Sequence, residues 1–186
     1  IVHAGYDCKP GTLMARLNVQ GNAMYDRICK ELDVPFRRNG SLVLAFNDED
    51  VFQLERLMVQ GVKNGVADLR LLPANEVLEM EPSINPGVVA ALWAPTGGIT
   101  SPYELTIAMA ENAADNGVEF YFEHRVESIE RKENDKFRII TSRRDFVASC
   151  VINAAGVNGD VISKMAGDDS FIIHPRKGEY CLYDRK

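Results

Sequence analysis

Residues 101–156, SPYELTIAMAENAADNGVEFYFEHRVESIERKENDKFRIITSRRDFVASCVINAAG, decide how the chain is read. Ser101 suits a helix N-cap, Pro102 the first helical position, and Glu104 is placed to complete a capping box. The helix should end at Asn116-Gly117. Strands are expected over 118–122, 125–130, 137–141 and 146–153, with a hairpin turning at Asn134-Asp135. The last strand runs into Asn153-Ala154-Ala155-Gly156. Small residues there let a ligand approach the backbone, and in open α/β sheets ligands gather at the carboxyl ends of strands. Ala-Ala-Gly alone is a weak signal, more often a plain tight turn than a ligand contact. The order helix, strand, hairpin, strand, Asn-Ala-Ala-Gly is far more specific.

Outward from this stretch, helices and strands alternate. A helix is expected over 12–33, started by Pro10-Gly11-Thr12 and stopped by Val34-Pro35, with Leu13, Leu17, Met24, Ile28 and Leu32 on one face. A short strand over 41–46 follows the turn Asn39-Gly40. Asn47 can cap a helix over 48–63 with Leu54, Leu57, Met58 and Val62 as its stripe, closed by Asn64-Gly65. A strand over 69–72, a helix from Ala74 to Met80 and a buried strand over 88–94 come next. Beyond Gly156 a helix is expected over 158–166 and a final strand over 172–183. The fold class is α/β, or mixed α+β.

The chain has 186 residues, is 46% hydrophobic and carries a formal net charge of −6. The acidic balance disfavours a nucleic-acid partner, which wants a basic face. No apolar run approaches the roughly 18–20 residues that span a bilayer. Cys8, Cys29, Cys150 and Cys181 show no C-x-x-C spacing. They read as small buried hydrophobes in a reduced, cytoplasmic setting, and no metal site is expected. The opening Ile-Val-His has neither a start Met nor a signal peptide, so the chain is expected to be an interior segment of a longer protein.

The region 101–156 resembles the second half of the FAD domain in the D-amino acid oxidase superfamily. Val2-His3-Ala4-Gly5-Tyr6, Lys9-Pro10-Gly11-Thr12-Leu13 and Ala15-Arg16-Leu17 resemble the subgroup that oxidises 2-hydroxy compounds, including glycerol-3-phosphate dehydrogenase and L-2-hydroxyglutarate oxidase. Glu79-Met80-Glu81-Pro82, Pro95-Thr96-Gly97-Gly98-Ile99 and Pro175-Arg176-Lys177-Gly178-Glu179-Tyr180 are most similar to its glycerol-3-phosphate dehydrogenase-like members. The resemblance covers essentially the whole chain. It departs at Asn158-Gly159, where the pattern carries a bulkier residue.

The resemblance implies FAD as cofactor, with a backbone contact to adenine at Val126, the nucleotide beside Asn153, Ala154, Ala155 and Gly156, and a flavin-facing Gly178. It implies a partial Rossmann-like FAD-binding domain from 1–35 and 101–168, and part of a sheet-based substrate domain from 36–100 and 169–186. His3 would lie beside the flavin ring, as a base or as a hydrogen-bond partner. Arg176 and Lys177 would suit a small anionic substrate and an anionic reduced flavin, or be solvated charges on an edge strand. His124 and His174 default to structural roles, Tyr6, Tyr103 and Trp93 to packing. The expected reaction is oxidation of glycerol 3-phosphate to dihydroxyacetone phosphate. The alternatives are L-2-hydroxyglutarate or amine oxidation, or a non-catalytic binding module. The electron acceptor (quinone, oxygen or protein) stays open, and peripheral membrane association is compatible with the sequence. No G-x-G-x-x-G occurs in these residues. The pyrophosphate is gripped by such a loop and the helix behind it, so this stretch alone is expected not to hold FAD.

Overall fold

Thr12 starts helix α1 (Leu13–Glu31) by accepting the Ala15 N–H on its hydroxyl. In the computed structural model, which describes residues 1–133 and 135–181, the buried face of α1 is not the one its leucines mark. Ala15, Asn22 and Cys29, seven residues apart, are buried, whereas Leu13, Leu17 and Met24 are exposed. Small side chains let the helix come close to the chain beneath it, and Asn22 finds hydrogen-bond partners there. Close approach, rather than apolarity, therefore sets the helix's rotation.

The chain divides into two compact units, Ile1–Val118 and Glu119–Lys186. In the first, β1 (Phe36–Arg37) leads to β2 (Ser41–Ala45), and α2 (Asp48–Asn64) follows, capped by Asn47 and closed by Gly65 in the left-handed region. Next come β3 (Arg70–Pro73), α3 (Ala74–Met80), β4 (Ala90–Ala94), β5 (Ile99–Thr100) and α4 (Pro102–Asp115). β4 lies between β2 and β3, antiparallel to both. Side chains alternate across β4, as the pleat requires. Leu92 and Ala94 join Ala45 and Leu54 of α2 on one face, and Ala91 joins Leu72, Val77 and Val88 on the other. β1 and β5 form a separate two-stranded pair, and Ser101 caps α4 as its sequence predicts.

In the second unit, β6 (Val126–Arg131), β7 (Phe137–Thr141) and β8 (Asp145–Ala148) form an antiparallel meander. A turn of 3-10 helix over Gly156–Asn158 leads into α5 (Gly159–Met165). The expected hairpin turn falls where anticipated, with Asp135 at φ 58°, although Asn134 lies outside the described residues.

Two expected strands are not formed among the described residues, and the one expected over 146–153 ends at Ala148, where β8 ends. Residues 118–122, 149–153 and 171–181 carry no ladder pairing. Their apolar side chains stay open: Phe122 is 79% exposed, Ile152 87% and Ile172 73%. A strand exists only where a neighbouring backbone completes its hydrogen bonds, and none does so here. Residues 182 and 183 of the last expected strand lie outside the described residues. Two smaller expectations also shift. Cys8 and Cys29 are buried as anticipated, whereas Cys150 and Cys181 are exposed. Tyr6 packs into the core, whereas Tyr103 is 80% exposed because it sits on the outer side of α4's first turn. Among the described residues no helix is long and apolar enough to cross a membrane.

Candidate functional site

His3 sits on an extended strap at the edge of the first unit. The strap is bridged to the turn after β4: the Val2 N–H donates to Gly98 O at 2.7 Å and the Gly98 N–H returns to Val2 O at 3.0 Å. A side chain at Gly98 would strike the Phe36 ring and the Arg37 carbonyl, so this approach requires glycine. The imidazole is partly open, at 39% exposure, and lies against the Tyr6 ring with centroids 4.8 Å apart. Its Nδ1 accepts the Gly5 N–H at 2.9 Å, and Asp7 Oδ1 stands 3.7 Å from the same nitrogen. A cleft of about 220 Å³ opens beside it, lined by His3, Leu17, Asn18, Gly21, Asn22 and Tyr25.

Asn22 and Arg38 lock this corner together. Asn22 Nδ2 donates to the carbonyls of His3 at 3.0 Å and Thr96 at 2.8 Å. Arg38 donates to Asn22 Oδ1, Asn22 O and Thr96 O, and holds the Asp26 carboxylate through Nε and Nη2. That pairing, a hydrogen bond to the guanidinium above all, holds the Asp26 carboxyl below the usual carboxylate range. Apolar periodicity cannot find Asn22, because a polar residue at the centre of a helix face reads as a break in the stripe. The one sequence signal was its seven-residue spacing from the small residues Ala15 and Cys29.

In the second unit Val126 opens β6 opposite Thr141, at an irregularity in register between Val126 and Ser128. Asn153 folds the segment after it into a fixed corner. Its Oδ1 accepts the Ala155 N–H at 3.2 Å and its Nδ2 donates to Gly159 O at 2.7 Å. Gly156 turns the chain with φ 55°, and the position a Cβ would take there faces open space. Gly159, where the sequence departs from the resembled pattern, is buried. A Cβ there would come within 3.2 Å of Ile173, so a larger residue would have to move that side chain.

Arg176, Lys177 and Gly178 do not stand on a strand, and all three are exposed. Lys177 Nζ pairs with Glu179 Oε1 at 2.5 Å. Their segment is tied to α5 by Asp160, whose Oδ2 accepts the Ile173 N–H at 3.0 Å. That bond, more than any other, holds the Asp160 carboxyl below its ordinary range. A carboxylate with a depressed folded-state pKa stabilises its contact at pH above the unfolded value of about 4, and the stabilisation is lost as pH falls through the lower folded value. Hydrogen exchange at the Ile173 amide should therefore be slow at neutral pH. Its protection, relative to an unstructured amide at the same pH, should fall in Asp160→Asn at neutral pH, and in the wild type only under acid. Equal exchange in variant and wild type would detach Asp160 from the segment.

His124 is held structurally: its Nδ1 lies 2.8 Å from Phe122 O, and its ring packs edge-on against Tyr121 and Phe146. His174 is exposed. Trp93 lies across Gly40, half-buried against the core of β3 and α3.

The model of the FAD dependent oxidoreductase family matches residues 1–186. The chain belongs to that family. Among its relatives, glycerol 3-phosphate dehydrogenase of Caloramator mitchellensis is 48% identical over all of this chain and 38% of its own length. Glycerol 3-phosphate oxidase of Mycoplasma genitalium is 31% identical over 98% of the chain and 49% of its own length. L-2-hydroxyglutarate dehydrogenase of Indibacter alkaliphilus is 30% identical over 97% of the chain and 45% of its own. The chain thus spans less than half the length of these relatives. Among solved structures, the dithionite-reduced L-alpha-glycerophosphate oxidase of Mycoplasma pneumoniae with FAD bound superposes with a TM-score of 0.79 at 26% identity. That superposition covers 88% of this chain and 44% of the oxidase. The mixed helix-and-sheet fold read from the sequence is the fold of this FAD dependent family.

The residues of the second unit fit one flank of an FAD dinucleotide. The corner at Gly156 carries no Cβ, and the position a Cβ would take faces open space, which lets a ligand approach the backbone closely. These residues contain no G-x-G-x-x-G, the pattern whose loop and following helix grip a pyrophosphate.

Proposed function

We propose that the protein to which this chain belongs oxidises a small anionic 2-hydroxy compound with FAD, and that the substrate is glycerol 3-phosphate, oxidised to dihydroxyacetone phosphate. The observation that carries this reading is the 48% identity, along the whole chain, to a glycerol 3-phosphate dehydrogenase. FAD, when bound, supplies the two-electron acceptor for the C–H bond beside the substrate hydroxyl.

The chain's own residues divide the remaining work. Val126, Asn153, Ala154, Ala155 and Gly156 line the nucleotide, and Gly178 approaches the flavin. His3 meets the substrate hydroxyl at the mouth of its cleft, while Arg176 and Lys177 offer positive charge to the substrate anion. By role, residues 1–35 and 101–168 serve the flavin side and 36–100 and 169–186 the substrate side. The setting is cytoplasmic, and peripheral membrane association is compatible with it.

The test is a comparison of kcat/KM for full-length protein with an artificial electron acceptor. Glycerol 3-phosphate should exceed L-2-hydroxyglutarate and every D-amino acid by at least about tenfold, the low end of the discrimination a substrate pocket achieves between related molecules. A hydroxy acid or amino acid as the best substrate would move the protein elsewhere in the family.

Gly156 offers a second check. Asparagine tolerates the left-handed backbone there, and the side chain enters open space. Gly156→Asn should fold with a stability change of no more than about 1 kcal/mol. FAD bound per purified full-length protein should nevertheless fall several-fold, because the new side chain takes the nucleotide's place. Unchanged occupancy in a folded variant would remove Gly156 from the site.

A further inference from the structure

The imidazole of His3 is not free to choose its tautomer. Nδ1 accepts the Gly5 N–H at 2.9 Å, so in the neutral ring that nitrogen is the unprotonated one and the proton sits on Nε2. The ring therefore presents a donor, not a base, to whatever lies beyond it. That arrangement lasts only while the His3–Gly5 backbone keeps its shape. Two side chains hold that backbone from within: Asn64 Nδ2 donates to the Gly5 carbonyl at 2.9 Å, and Asn22, buried at 7% exposure, donates through Nδ2 to both the His3 carbonyl and the Thr96 carbonyl. Arg38 in turn fixes the Asn22 amide, donating to Oδ1 at 3.0 Å and to the backbone O at 2.9 Å, and is itself anchored on Asp26.

An asparagine in the middle of a buried helix face, spending both its N–H groups on two carbonyls of separate segments, is a costly choice for packing alone. We propose that Asn22, clamped by Arg38, is a positioning residue. It holds the strap against the Thr96–Gly98 turn so that His3 stands at the cleft as an Nε2–H donor toward the substrate oxygen. This rests on the reading of His3 as a substrate-facing group. That donor binds and orients the oxygen, and no proton transfer is part of this role.

The experiment uses full-length holoenzyme in five forms: wild type, His3→Gln, Asn22→Asp, Arg38→Lys and Val77→Ala. Asn22→Asp keeps the shape of Asn22 and loses both donors. Arg38→Lys leaves those donors and removes the planar fork that clamps them. Val77, fully buried in the core between α3 and its sheet and remote from the strap, reports what general destabilisation does. Two quantities are read: the ¹⁵N shifts of selectively labelled histidine side chains, with His3 identified by its disappearance in His3→Gln, and kcat with saturating glycerol 3-phosphate. The wild type should show a single Nε2–H tautomer for His3. Asn22→Asp should mix the tautomers and lower kcat roughly ten- to a hundredfold below Val77→Ala, as expected for a misplaced group. Arg38→Lys should do the same to a smaller degree, and it decides the matter where Asn22→Asp does not fold. A His3 tautomer unchanged in the variants, with kcat within about twofold of Val77→Ala, overturns the positioning role alone. A His3→Gln enzyme that turns over normally overturns that role together with the reading it rests on. If the wild type ignores glycerol 3-phosphate, the substrate is wrong, and the tautomer measurement still decides for or against Asn22.

Discussion

Gly40→Ala should cost the protein about 2–4 kcal/mol of stability, because it combines backbone strain with overpacking. Gly40 turns the chain into β2 with φ 70°, in the left-handed region, where any Cβ is strained. A methyl group built there would also overlap the Trp93 ring, which lies across the glycine. Trp93 stands on β4 opposite Leu42, so the ring cannot leave without disturbing the sheet. The consequence reaches the candidate site. The Gly40 N–H donates to Gly97 O at 3.0 Å, and that turn bridges the His3 strap at Gly98. Urea unfolding of the full-length variant should show the midpoint displaced, and substrate turnover should suffer with it. A midpoint within error of wild type would mean that Trp93 has somewhere else to go.

His3→Gln should lower kcat by roughly 10²–10³-fold, the usual cost of removing one donor aimed at a reacting oxygen. Glutamine still offers an N–H but lacks the ring that Gly5 and Tyr6 hold in place. FAD occupancy should stay close to wild type, since the nucleotide-lining residues belong to other segments. A large loss of flavin with unchanged kcat per bound flavin would make His3 a residue of cofactor binding instead.

The sequence was most legible where local chemistry is self-contained. The Asn47 cap and Gly65 stop of α2, the Ser101-Pro102 start of α4 and the span of α3 are all written in a few neighbouring residues. It was least legible where the outcome depends on distant backbone. Residues 118–122, 149–153 and 171–181 have the composition of strands, but pairing is a property of two segments and composition describes only one. The orientation of α1 failed for a related reason. Its leucines recur with helical period, yet Ala15, Asn22 and Cys29 face inward, Asn22 onto the carbonyls of His3 and Thr96 and Cys29 against Val34 and Leu105. At the candidate site the small-residue corner at Asn153–Gly156 and the His3 segment were visible as motifs. The Asn22–Arg38 clamp was not, since it consists of side chains meeting carbonyls 19 and 74 residues away from Asn22.

The decisive property is whether this family member carries a flavin that a 2-hydroxy phosphate can reduce. Full-length protein should be purified, its flavin quantified by absorbance, and glycerol 3-phosphate added anaerobically. About one FAD per chain is expected, with complete bleaching of the oxidised flavin band and dihydroxyacetone phosphate formed in equal amount. Retention of the oxidised band with glycerol 3-phosphate, alongside rapid bleaching by an amino acid, would contradict the proposed activity.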